Sequence, residues 1–249
     1  MPVSDPVPGR PQRSGPACLI EGFRMLGQPG LRRFVLLPAL GNIVLFALAA
    51  GVALWGLESA LDAWLPDQAS WLRWLLFPVL ILALLVGTLF AFTVLANLLL
   101  GPFLGLLAAK VNERLGGPAP PPGAGFLPDL ARDTGLELRR LGYILLCTAG
   151  VLLLGLVPVV NLVAAPLGLL LTAWLLAMEH AAHALGLRRM SLSEQLGFLR
   201  LNRLGVMGFG FASMGVLLVP LLNLVLLPAA VCGMTLFVHE RLPRTPDPE

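Results

Sequence analysis

Apolar residues fall in long blocks that contain no charge. Phe34 to Leu57, Trp74 to Ala109, Leu141 to Met178 and Leu204 to Val238 are free of Asp, Glu, Lys and Arg. The 24 residues of the first block reach about 36 Å as a helix, enough to cross a hydrocarbon core of about 30 Å. The second block is long enough as well, with Gly101-Pro102 as a kink or end and a helix continuing over 103–115. Upstream, Leu19, Ile20, Phe23 and Leu26 recur at helical spacing with Glu21 and Arg24 opposite. This pattern predicts a short amphipathic helix over 17–27, suited to a membrane surface and broken at Gln28-Pro29-Gly30.

The third and fourth blocks are interrupted near their middles in the same way. One reads Pro158-Val-Val-Asn161, with Pro166 five residues on; the other reads Pro220-Leu-Leu-Asn223, with Pro228 five residues on. The same Asn-to-Pro offset recurs at Asn97 and Pro102. The uncharged half-blocks, 141–157, 162–178, 204–219 and 224–238, have 15 to 17 residues and reach only about 22–26 Å. Both blocks begin and end in charged segments. These features predict two helical hairpins that enter and leave by one side, with Asp129 to Arg140 as a charged approach helix. The expected fold is an all-α integral membrane protein with two long transmembrane helices, two partially penetrating hairpins and interfacial amphipathic helices. In domain terms, residues 1–15 read as a disordered tail, 16–240 as a single membrane domain and 241–249 as a C-terminal tail.

Composition strengthens the membrane reading. The chain is 57% hydrophobic and 12% charged, about half the charge of an ordinary soluble domain. Its mean hydropathy is +0.85. Net charge is +3 and dispersed, which gives no nucleic-acid footprint. Cys18, Cys147 and Cys232 are isolated thiols that suit small core positions, with no disulfide framework or zinc spacing. The first 15 residues lack the organisation of a cleavable signal peptide. The segment 58–73 is net acidic and 179–203 net basic, so the termini, 110–140 and 179–203 are expected in the cytoplasm, with 58–73 outside.

The strongest candidate chemistry lies in Gln28-Pro29-Gly30-Leu31-Arg32-Arg33. A helix start offers unpaired N–H groups, glycine admits close approach, and two arginines add fork-shaped donors without a carboxylate among them. That is what a fully ionised oxyanion needs. From the residues alone, the commoner role of such a pair is that of juxtamembrane anchors obeying the positive-inside rule. Asn42, Asn97, Asn161 and Asn223 are candidate neutral lining for an anion path, or turn caps. His180 and His183, beside Glu179, lack a third metal ligand and read as an interfacial pair. Ser191-x-x-Glu194 is a capping box. No nucleophile motif, phosphate loop or paired carboxylate site occurs, so neither an enzyme nor a cofactor is expected.

Glu21 to Pro38, Ala96-Asn97 through Gly101-Pro102-Phe103 to Ala108, and Val219 to Asn223 through Pro228 to Gly233 closely resemble bacterial CysZ-type sulfate permeases. The likeness covers roughly 17–240. It implies a multi-pass protein of the bacterial inner membrane that supplies sulfate for cysteine biosynthesis and assembles as a homo-oligomer among membrane lipids. It implies sulfate held at Gly30, Leu31, Arg32 and Arg33, which favours the anion seat over the anchor reading. The family's Asp-Tyr-Pro stretch is replaced here by Glu179 to Ala184. A non-transporting membrane scaffold or regulatory subunit is the alternative function.

Overall fold

The computed structural model describes residues 12–64, 78–87, 103–123, 125–157 and 160–242. Among them there are helices and turns and no strand. The helices are α1 (Gly15–Leu26), α2 (Arg33–Trp64), α3 (Pro78–Gly87), α4 (103–114), α5 (Phe126–Gly155), α6 (Asn161–Gly186), α7 (Leu192–Leu201), α8 (Arg203–Leu217) and α9 (Pro220–Arg241). Residues 1–11 and 243–249, most of the two expected tails, lie outside the described residues, as do 88–102 of the second expected span. The chain divides into two compact units, Met1–Arg32 with Leu104–Glu249, and Arg33–Phe103.

In the second unit, α2 runs unbroken for 32 residues, about 48 Å. It includes the uncharged stretch 34–57 and continues through Glu58 and Asp62, where the sequence suggests a connection. Ile43, Leu48, Val52 and Trp55 are all more than 60% exposed, which fits a lipid-facing helix.

In the first unit, α5 and α6 form the first hairpin. Gly155 lies beside Ala164, and Gly168 beside Val151, four residues farther from the turn on each leg. That is the register of antiparallel helices. The legs have 30 and 26 residues, about 45 and 39 Å. They exceed the uncharged half-blocks because the charged approach 129–140 and the segment 179–186 continue the same helices. By length and composition both α5, from Leu127, and α6 can cross a membrane. The second hairpin, α8 and α9, turns at Leu218 and Val219, and Pro220 occupies the first turn of α9, where its missing N–H costs nothing. Asn161 opens α6 and Asn223 sits near the start of α9. Each precedes a proline inside the helix, Pro166 and Pro228. The short sequence repeat thus marks equivalent places in the two hairpins.

The core gathers at the base of the hairpins. Cys18 and Leu19 of α1, Ala177, Met178 and Leu185 of α6, Phe198 and Leu199 of α7, Phe209 of α8, and Met234 and Phe237 of α9 pack there. Toward the tips the legs expose leucines, with Leu162 and Leu218 each 85% accessible. An apolar surface of this extent belongs in lipid, and the chain is a helical membrane protein.

Glycines let the backbones approach closely. A Cβ on Gly22 would lie 2.1 Å from Ala229 O, and one on Gly233 would lie 2.5 Å from Cys18 O. On Gly15 it would meet Gly205 O at 1.9 Å, and on Gly210 it would meet Ala173 O at 1.9 Å. These are small-residue helix crossings of the kind membrane interiors favour. They also revise the role of α1. Its buried face, Cys18, Leu19, Gly22, Met25 and Leu26, is turned to α8 and α9, while Ile20 stays 55% exposed.

The chain ends of this unit are tied together. The Arg13 N–H and guanidinium both donate to the Glu240 carboxylate, at 2.9 and 3.0 Å. Arg241 donates to Arg13 O at 2.6 Å and lies over the Phe237 ring at 3.6 Å, a cation–π contact.

The capping box is formed as expected. Ser191 Oγ accepts from the Glu194 N–H, and Glu194 Oε2 accepts from the Ser191 N–H at 2.7 Å. Ser191→Ala should cost about 1 kcal/mol, which lowers the thermal midpoint by about 2–4 °C in a thermal melt.

Candidate functional site

The segment after α1 is a built corner. Gly27 N–H bonds Arg24 O at 3.1 Å and Gln28 N–H bonds Met25 O at 3.0 Å, closing the helix end. Pro29 cannot continue the helical ladder. Leu31 N–H then bonds Gln28 O at 3.2 Å, and Gly30 has φ +88°. Pro at the second position of a four-residue turn and Gly with positive φ at the third define a type II turn over Gln28–Leu31. The Leu31 side chain is fully buried and anchors the corner. The backbone N–H groups of Gly30 and Arg32 meet no acceptor among the described residues.

The predicted site residues divide by role. Gly30 supplies an open N–H. Leu31 is spent structurally, since its N–H is bonded and its side chain buried. Arg32 is exposed, and its Nε donates to Gly27 O at 2.7 Å, leaving its terminal nitrogens uncommitted to any carboxylate among the described residues. Arg33 is exposed and opens α2. Of the four asparagines, Asn161 is exposed at the start of α6. Asn42 lies on α2 and Asn223 on α9, with side chains outside the description, and Asn97 lies outside the described residues.

Sequence reasoning missed Arg114, the last residue of α4. Its Nη2 donates to Pro29 O at 2.6 Å and its Nη1 reaches Gln28 Oε1 at 3.4 Å. A Cβ on Gly30 would lie 2.7 Å from that Nη2, so the glycine leaves room for a guanidinium. The neighbouring carboxylate, Glu113, bonds Lys110 at 2.7 Å. That hydrogen bond and charge hold its carboxyl below the usual range, with Arg114 adding a smaller Coulombic effect. Among the described residues Arg114 therefore stands at the corner without an ion-pair partner. No local pattern signals this contact, because its residues are 85 and 86 positions apart.

A second polar cluster lies at the hairpin base. Arg140, 7% exposed, bonds Glu137 and reaches Gln195. His180 is 2% exposed, packs edge-on against Phe209 at 6.2 Å, and has neither ring nitrogen hydrogen-bonded among the described residues, so it is buried in the core where the sequence suggests an interfacial position. Among the described residues no three His, Cys, Asp or Glu side chains converge as a metal site.

Comparison with known proteins places residues 18–228 in the family described as "Sulfate transporter CysZ/Etoposide-induced protein 2.4". Proteins named Sulfate transporter CysZ are similar over most of their length. The one from Pseudomonas aeruginosa (strain LESB58) is 39% identical over 233 residues, 91% of this chain and 95% of its own. Those of Pseudomonas fluorescens (strain Pf0-1) and Pseudomonas syringae pv. tomato (strain ATCC BAA-871 / DC3000) are 38% and 37% identical, over 93% of this chain and 95% and 94% of theirs.

Proposed function

The chain belongs to the sulfate transporter CysZ/etoposide-induced protein 2.4 family, and on that premise we propose that it carries sulfate across the bacterial inner membrane for cysteine biosynthesis, holding the anion at Gly30, Leu31, Arg32 and Arg33. The observation that supports this most is the corner itself. The open N–H groups of Gly30 and Arg32 adjoin guanidinium groups, and no carboxylate pairs with Arg32 or Arg114 among the described residues. A fully ionised sulfate has no proton to give and is matched by donors alone. Leu31 serves by fixing the turn in the core. The hairpins enter from the cytoplasmic side and penetrate in part, and the protein works as a homo-oligomer in contact with lipid.

Labelled sulfate should enter sealed vesicles carrying the purified protein faster than it enters protein-free vesicles of the same lipid. Equal rates in both would remove the transport reading and leave the membrane scaffold.

A further inference from the structure

We propose that Arg114 is the positioning residue of the anion corner, locking the peptide between Pro29 and Gly30 so that the Gly30 N–H faces the incoming anion. The inference rests on the sulfate reading above. The carbonyl of Pro29 and the N–H of Gly30 belong to one planar trans peptide, so they point in opposite directions. Whatever holds the carbonyl aims the N–H. Arg114 Nη2 holds that carbonyl at 2.6 Å, and the same guanidinium reaches Gln28 Oε1 at 3.4 Å.

The lock is needed because this peptide is the one that turns over between two related folds of a four-residue turn. Types I and II differ mainly by rotating the central peptide by about 180°. Pro29 is compatible with both, and Gly30 tolerates either sign of φ. The sequence of the turn therefore leans to type II without locking the N–H direction. The cation on Pro29 O selects type II, in agreement with φ +88° at Gly30. Gly30 completes the device, since its missing Cβ is the space that Arg114 Nη2 occupies, 2.7 Å from where the carbon would stand. Arg114 ends α4, while Lys110 on that helix takes up Glu113, so among the described residues no carboxylate draws the guanidinium away.

The test is equilibrium binding of radiolabelled sulfate to purified full-length protein, with thermal melts alongside. Arg114→Gln should weaken binding about tenfold, the scale of one lost charge-assisted hydrogen bond. Arg114→Lys should lose nearly as much, because an ammonium keeps the charge but not the two-armed hold on Pro29 O and Gln28. Gly30→Ala should match both, by pushing the guanidinium away from the turn. Wild-type affinity in Arg114→Gln or in Gly30→Ala overturns the proposal while leaving the sulfate reading intact. Full recovery in Arg114→Lys also overturns it, because charge alone would then suffice. No saturable binding by the wild type removes the sulfate reading and this proposal together. Should Arg114→Gln fail to fold, the lysine and alanine variants still decide.

Discussion

Gly22→Ala should lower the thermal midpoint of the detergent-solubilised protein by about 6–12 °C, which corresponds to about 3 kcal/mol of overpacking in a chain of this size. The added methyl would stand 2.1 Å from Ala229 O and 2.7 Å from Gly233 N, both backbone atoms of α9. No side chain can rotate aside, so α1 must lift from α9. The lift would strain the Arg13–Glu240 pair and the packing of Cys18 and Leu19 in the core. Gly197→Ala is the control. It lies in α7 with nothing within 4 Å of its added carbon, and alanine is the better helix former by about 1 kcal/mol. Its midpoint should stay level or rise. A Gly22→Ala protein as stable as the parent would mean that α1 does not pack against α9 through this glycine.

The second large effect is on the anion. Replacing Arg32 and Arg33 together with alanine should weaken sulfate binding by about a hundredfold and slow vesicle uptake accordingly. Each charged hydrogen bond is worth about 1.5–3 kcal/mol, and about 1.4 kcal/mol is a factor of ten. Arg24→Ala is the matched control, because its exposed guanidinium is paired with Glu21 at 3.2 Å on α1. It changes net charge by the same amount per residue and should leave binding unaltered. Equal losses in both variants would mean that sulfate responds to overall charge and that the corner is not its seat.

Much of the fold is legible in the sequence because lipid imposes a simple rule. Backbone groups within it must pair along the helix, so uncharged length reads directly as helix. The blocks starting at Phe34, Leu141 and Leu204 became α2, the α5–α6 hairpin and the α8–α9 hairpin, and Ser191 with Glu194 formed their reciprocal cap. Helix ends were less legible. Charge marks where lipid stops, not where helix stops, so α5 extends back through Arg139 and Asp129 to Phe126. Within the site, Pro29 and Gly30 announce the turn, but nothing near them announces Arg114. The face α1 turns to the protein was legible only in part: Leu19 and Leu26 mark it, but Gly22 and Cys18 carry little hydrophobicity and matter through their smallness.

The pairing of α1 with α9 also bears on how the protein is made. Arg13 and Glu240, which clasp each other, are 227 residues apart in the chain. At ribosomal speeds of about 5–20 residues per second, α1 emerges roughly 10–45 s before its binding groove on α9 exists. Until α8 and α9 are made, Leu19, Met25 and Leu26 lack the helices they pack against, and the headgroup layer of the membrane is the natural place for them to wait. A nascent chain stopped short of Arg203, before α8 and α9, should therefore keep α1 open to added protease, and completing synthesis should close it.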